Sequence, residues 1–177
     1  MTKDAQNIIY KTPRLYTRRL VDVDLTALAR TLQDPLAMTA YAHAFSDAEV
    51  AAWLANQQAR YREPGIGLLA VCRKGDDRLI GQCGLTHQDF GGQRVLEIGY
   101  LFERDAWHQG YAIEAARGAK AYAWGLGATE CWSIIRDTNF ASMNVAIRNG
   151  MLVRGRIVKH YYGLDMPHLG FSVRRRG

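Results

Sequence analysis

The sequence offers no apolar run approaching the roughly 18–20 residues that a membrane-spanning helix needs, and its opening MTKDAQNIIYK has no apolar core of the kind a secretory signal carries. A cytoplasmic chain that stays out of membranes is the expectation. Proline is sparse, at 4 of 177 residues, and no Gly- or Pro-rich linker, low-complexity tract or repeat interrupts the chain. Residues 1–177 therefore read as one domain, long enough to bury a core. Cysteine is sparse as well. Cys72, Cys83 and Cys131 form an odd set, each inside a predicted strand and none at metal-ligand spacing. They read as reduced core thiols, and no metal is expected.

Acidic side chains are outnumbered, 17 Asp and Glu against 23 Lys and Arg, for a net charge of +6. The surplus is uneven, since residues 130–177 hold 8 basic side chains and 3 acidic ones. It suits either a surface for nucleic acid or ribosome, or a chain that accommodates an anionic nucleotide. Arg174, Arg175 and Arg176 read as a solvated tail.

What the chain does contain is organised around Val95 to Ala119. Val95, Leu96, Ile98, Tyr100, Leu101 and Phe102 are β-branched and aromatic enough for a buried strand, in which Glu97 is the one charge. From Tyr111 to Leu126, Ala112, Ala115, Ala116, Ala119, Tyr122, Ala123 and Leu126 recur with helical spacing. Between strand and helix lies a turn ending on Gly110, whose missing Cβ lets backbone N–H groups approach a ligand. A helix start of this kind, with about half a positive charge, suits a pyrophosphate.

Around this centre the pattern predicts a strand over 14–20 and a helix from an Asp24 cap to about Gln33. Residues 35–45 are unassigned. A second helix follows from Asp47 to about Tyr61, behind a Ser46/Glu49 capping box. Strands over 68–72 and 79–85 flank the turn Gly75-Asp76-Asp77, and Gly91-Gly92 precedes the central strand. His87 and Asp89 fall in the loop between, within reach of a ligand. Gly125 and Gly127 stop the central helix. A strand over 131–135 leads to a short helix, Asn139 to Asn149, capped by Asp137 or Thr138, with Ala141, Val145, Ala146 and Ile147 inward. Two last strands, about 152–159 and 168–174, enclose a Tyr161-Tyr162-Gly163 loop.

The block Trp107-His108-Gln109-Gly110-Tyr111-Ala112-Ile113-Glu114-Ala115 resembles the pyrophosphate loop of the GNAT acetyltransferases, particularly the RimJ/RimL ribosomal-protein N-acetyltransferase type. Trp107 stands where other branches carry Gln or Arg. Asn139-Phe140-Ala141-Ser142, followed by Arg148-Asn149-Gly150-Met151, is similar to the family's second signature, with Met151 in place of the usual Phe. Thr12-Pro13-Arg14-Leu15-Tyr16-Thr17-Arg18 with Asp24 resembles that branch's opening strand. The resemblance implies a mixed α/β fold: a mostly antiparallel sheet of about seven strands flanked by about four helices. It implies acetyl-CoA as co-substrate, with its pantetheine arm beside Leu101 and Phe102 where two strands splay apart. Its phosphates would lie on Trp107, His108, Gln109, Gly110, Tyr111 and Ala112, with Asn139, Ser142 and Arg148 also facing it.

By the same resemblance, Glu97 matches a strand carboxylate that serves as general base, and Ser142 replaces the usual tyrosine proton donor, since Ala146 occupies that position. Glu97 pairing with an arginine of a neighbouring strand, or binding the acceptor, is the alternative. The two early helices would wall the acceptor pocket with Tyr41, His43 and Phe45, joined by His87 and Tyr161. The leading expectation is acetyl transfer to a primary amine, on a small molecule or a protein N-terminus, by a monomer or homodimer. A non-catalytic acyl-CoA-binding module, favoured by the missing tyrosine, is one alternative. A ribosome- or nucleic-acid-associated protein is the less favoured one.

Overall fold

The computed structural model describes residues 7–176. In chain order its elements are β1 (Ile8–Lys11), β2 (Leu15–Arg18), α1 (Leu25–Leu32), α2 (Asp47–Arg60), β3 (Gly67–Arg73), β4 (Leu79–Phe90), β5 (Gln93–Phe102), α3 (Tyr111–Gly125), β6 (Glu130–Arg136), α4 (Phe140–Arg148), β7 (Leu152–Tyr161) and β8 (Leu164–Arg174). The strands form one mixed sheet in the order β1-β2-β3-β4-β5-β6-β8-β7. Neighbours are antiparallel except β5 and β6, which run parallel. No helix among the described residues is long and apolar enough to cross a membrane.

Two cores lie on the two faces of this sheet, because successive strand residues point to opposite sides. Val71 packs with Ile98, Phe102 and the Ala115, Ala116, Ala119 and Ala123 stripe of α3, all four alanines fully buried. Such small side chains let the helix lie close on the strands. Ala70 and Cys72, one residue either side of Val71, pack instead with Leu28 and Leu32 of α1 and Val50 and Leu54 of α2. Helix α2 begins on the expected capping box: Ser46 Oγ accepts from the Glu49 N–H, and Glu49 Oε2 accepts from the Ser46 N–H at 2.8 Å. The three cysteines are free and buried, and burial pushes the Cys83 thiol up to about 12.

Several local expectations are corrected. The sheet has eight strands rather than about seven, because Ile8–Lys11 pairs with β2. Strand β4 runs on to Phe90, so His87 and Asp89 are strand residues rather than loop residues. The hairpin closes only at Gly91 and Gly92, both with positive φ. Asp24 does not cap α1 with its side chain. Its carboxylate accepts from Nη1 and Nη2 of Arg18, at 2.7 and 2.8 Å, and from the Val21 N–H. Asn139, not Asp137 or Thr138, caps α4, and Ala141 and Ile147 point outward. Met143 and Ala146 turn inward, and Asn149 at the helix end donates to the Ala116 carbonyl of α3, which sets the helix's rotation. The final hairpin turns on Tyr162 and Gly163 alone, with Tyr161 paired to Leu164.

Backbone crowding sets the spacing of β3 and β4. A Cβ on Gly84 would lie 2.3 Å from the Gly67 carbonyl oxygen and 2.9 Å from Leu68 Cα, and main chain cannot step aside as a side chain can. Gly84→Ala should destabilise the fold by about 2–3 kcal/mol, read as a lower urea midpoint. An unchanged midpoint would mean that the two strands are not held at this separation.

Candidate active site

The parallel pair β5–β6 is joined at one register position, Glu97 opposite Trp132, and then parts. Side chains replace the missing ladder bonds at the point of divergence. Ser133 Oγ donates to the Ile98 carbonyl at 2.9 Å, and the Ile134 N–H donates to Glu97 Oε1 at 3.2 Å. Beyond this point no strand among the described residues lies beside that edge of β5. The Glu103 N–H bonds the Ile80 carbonyl of β4, and ladder alternation in an antiparallel pair then aims the N–H and C=O of Leu101 at β4 as well. Those of Ile98, Tyr100 and Phe102 point into the gap. Leu101 therefore lines the gap through its side chain, and of the two residues expected to offer main-chain groups only Phe102 does so. The Phe102 carbonyl already accepts from Trp107 Nε1 at 2.9 Å.

The gap is the waist of a cleft of about 780 Å³. Glu97 lies at its floor, where Thr86 Oγ1 donates to Oε2 at 3.1 Å. Burial raises the carboxyl pKa above its ordinary value, against the lowering pull of Lys159, the Ile134 N–H, Thr86 and Arg60. On this side, Tyr41, Phe45 and Trp53 form a cluster of edge-on rings with centroids 5.7–6.2 Å apart. Trp53 Nε1 donates to Gln82 Oε1, which fixes its indole. The Tyr41 hydroxyl is pushed up to about 12 by burial and then by Glu97 and Tyr161. His43 stacks edge-on against Tyr162, 4.9 Å between centroids. Tyr41, His43, Phe45 and Tyr161 thus share the cleft with Glu97, and His87 does not. The alternation of β4 sends Thr86 and Gln88 into the cleft and His87 to the other face, where its Nε2 lies 2.8 Å from Glu63 Oε1.

At the other end, Gly110 caps α3 in the left-handed region at φ +79°, with no side-chain cap on the first turn, and His108 is left-handed as well. Trp107, His108, Gly110, Tyr111 and Ala112 line the cleft. Gln109 faces away, its amide donating to the Asp105 carbonyl at 2.6 Å. Arg14 holds the turn from outside: Nη1 donates to the Gln109 carbonyl at 2.9 Å, Nε to Glu114 Oε2 at 2.6 Å, and the guanidinium lies 4.5 Å from the Tyr111 ring centroid. Burial favours protonation of Glu114, but hydrogen bonds from Thr12 and Arg14 hold its carboxyl below the usual carboxylate range. Asn139, Ser142 and Arg148 of the α4 region face the same end. Asn139 Oδ1 accepts from the Ser142 N–H at 3.2 Å, and the Tyr100 hydroxyl donates to the Ser142 carbonyl at 2.7 Å.

Sequence reasoning passed over Trp53, Arg60, Thr86, Tyr100, Arg136, Lys159 and His168, all of which line the cleft. It quoted Arg14 in a motif without giving it a task. The alternation of β4 and β7 could have flagged Thr86 and Lys159. Nothing local announces the others.

Residues 14–152 match the family described as Acetyltransferase (GNAT) domain. The chain is 33% identical over 144 residues to the uncharacterized protein YkkB of Bacillus subtilis (strain 168), covering 79% of this chain and 83% of that one. Its structure is similar to that of an acetyltransferase (GNAT family) from Bacillus anthracis, with a TM-score of 0.80 at 20% identity over 93% of this chain and 97% of the other. It is also similar to RimL, a ribosomal L7/L12 alpha-N-protein acetyltransferase solved with coenzyme A, with a TM-score of 0.75 at 15% identity over 94% and 97%. At these identities the structures establish a shared fold.

The raised pKa of Glu97 has a thermodynamic signature. A carboxyl with a higher pKa folded than unfolded contributes stability that is complete below its unfolded pKa and is lost as pH rises through the folded one. Glu97→Gln, which cannot ionise, should gain stability relative to the parent as pH rises above the ordinary carboxyl pKa of about 4. Urea midpoints across that rise measure it. A constant difference would mean that the carboxylate is not desolvated.

Proposed function

Since the chain belongs to the GNAT acetyltransferase family, we propose that it moves the acetyl group of acetyl-CoA to a primary amine, both substrates meeting at the gap between β5 and β6. One observation carries this reading: a single cleft connects an uncapped helix start to a desolvated carboxylate at the strand divergence. The thioester supplies an activated acyl group, so the protein has to position two partners and manage protons.

The first-turn N–H groups of α3 and the backbone from Trp107 to Ala112 suit a pyrophosphate, since they offer donors and a helix-end charge. Gly110 takes the left-handed conformation at φ +79° that the turn into α3 requires. Arg148 supplies a cation for the remaining phosphate, and Arg14 acts as a positioning residue by gripping the turn from behind. The unpaired β5 edge at Tyr100 and Phe102 receives the pantetheine amides as an added strand would, and a main-chain N–H there can stabilise the tetrahedral oxyanion.

An amine reaches the site mostly as ammonium, and only the neutral form attacks. Glu97 takes that proton, directly or through water, its raised pKa bringing it closer to that task. Ser142, a cleft residue on the first turn of α4, is the hydroxyl this reading assigns to protonate the departing thiolate. Tyr100 is not free for that step, because its hydroxyl already donates to the Ser142 carbonyl. The acceptor is a small-molecule amine or a protein N-terminus. One observation favours a second reading, a non-catalytic acyl-CoA-binding module: the position at which the family resemblance implies a tyrosine proton donor is held by buried Ala146. Release of thiol from acetyl-CoA on adding amines separates the two.

Glu97→Gln should lower turnover ~10²-fold or more while calorimetry shows acetyl-CoA binding within about twofold of the parent. An unaltered rate would remove Glu97 from the mechanism. Gly110→Val, which puts a β-branched side chain at positive φ, should weaken acetyl-CoA binding by ~10-fold or more. Arg14→Leu should raise the KM for acetyl-CoA more than it lowers kcat. Normal affinity in both variants would show that the coenzyme phosphates lie elsewhere.

A further inference from the structure

The acceptor half of the cleft carries more positive charge than proton transfer requires. Arg60 of α2, Arg136 of β6 and Lys159 of β7 all line the cleft, and Glu97 is the one carboxylate among the residues that do. Several other arginines are matched, Arg14 to Glu114, Arg18 to Asp24, Arg30 and Arg78 to Glu103, Arg104 to Asp34, whereas Arg117, Arg148 and Arg154 stand in no ion pair among the described residues. Among the described residues none of the three cleft cations stands in an ion pair. Glu97 therefore lies beyond pairing distance of Lys159 and Arg60, and burial outweighs both in setting its proton affinity.

What these groups do bond is slight. Arg60 Nη1 reaches Gln57 Oε1 at 3.5 Å, and Lys159 Nζ lies 6.0 Å from the Tyr161 ring centroid. Arg136 spans the cleft to donate one Nη1 bond to the Thr39 carbonyl at 3.2 Å, and its Nε is buried with no hydrogen-bond partner. A buried guanidinium N–H without an acceptor is costly, and a planar fork of donors is best satisfied by a carboxylate. Lys159 and Arg136 share one face of the sheet, since Arg136 lies opposite His168 and Lys159 opposite Met166, two residues apart on β8. Three cations with little else to bind face a carboxylate that must itself accept a proton.

We propose that the acceptor bears an anion as well as its amine: a carboxylate-bearing primary amine of amino-acid type, its ammonium between Glu97 and the Tyr41–Phe45–Trp53 rings and its carboxylate on Lys159 and Arg136. The inference rests on the acetyl-transfer reading and narrows its acceptor. The rings suit an ammonium because their faces attract cations, and the flanking cations exclude amines that lack a counter-charge.

Thiol release is measured for a panel of amino acids, each beside its carboxamide, together with simple aminoalkyl phosphates. The best acid should exceed its amide in kcat/KM by ~10-fold or more, the scale of a lost charge-assisted hydrogen bond. Lys159→Met should bring the acid-to-amide ratio close to one, and Lys159→Arg should restore most of it. Amides turned over as well as acids, phosphates preferred over every acid, or equal loss on acid and amide in Lys159→Met would each overturn the proposal. Quenching of tryptophan fluorescence by the same acids and amides, without acetyl-CoA, reads the anion site apart from turnover. Acid-selective quenching with no thiol release would sink the transfer reading and keep the anion site; thiol release with no acid preference in either assay would do the reverse.

Discussion

The site depends on the separation of two parallel strands that share a single register position. If β5 and β6 stayed paired to their ends, the sheet would be continuous and no cleft would pass between them. Their parting exposes main-chain donors and acceptors that are costly to bury unpaired. The chain satisfies those at the apex with its own side chains, Ser133 on the Ile98 carbonyl and Glu97 on the Ile134 N–H. The hydrogen bond that seals the divergence thus also fixes the Glu97 carboxylate in the cleft.

Around that wedge the two helical layers divide the labour. The alanine face of α3 lets its N-terminus come close to the sheet, so its unpaired N–H groups open at one end of the cleft. The β1–β2 turn reinforces this from outside through Arg14 and Thr12, which hold Glu114 on the first turn of α3. At the other end, the irregular segment between α1 and α2 contributes Tyr41, His43 and Phe45, and α2 contributes Trp53. One half is shaped by backbone and suits phosphate. The other is shaped by rings and charges, and it is the half to which the proposed transfer assigns the acceptor.

Much of the architecture was legible along the chain, for identifiable reasons. The capping box at Ser46, the turns at Gly75-Asp76-Asp77 and Gly91-Gly92, and the alanine periodicity of α3 are local signals whose physics acts within a few residues, and they appear where expected. The structure departs from expectation where a particular partner or strand pairing overrides the local preference. Asp24 has the chemistry of a helix cap, but Arg18 takes its carboxylate. The rotation of α4 follows Asn149 bonding to α3, so Ala141 and Ile147 point outward despite their apolar character. His87 is a strand residue because β4 continues to the glycine turn, and alternation then carries it away from the cleft.

By itself, then, the sequence determined the kinds and order of the elements, the strand–turn–helix with Gly110 at its start, and the presence of one carboxylate in an apolar strand. These follow from side-chain periodicity and backbone preference, which residues a few positions apart settle among themselves. Only the tertiary structure decided that β5 and β6 part after Glu97, that Arg14 reaches Glu114 a hundred residues away, and that Arg60, Arg136 and Lys159 meet in one cavity without acidic partners. Such convergence depends on strand register and on which faces the sheet buries, and no window along the chain contains both sides of those contacts.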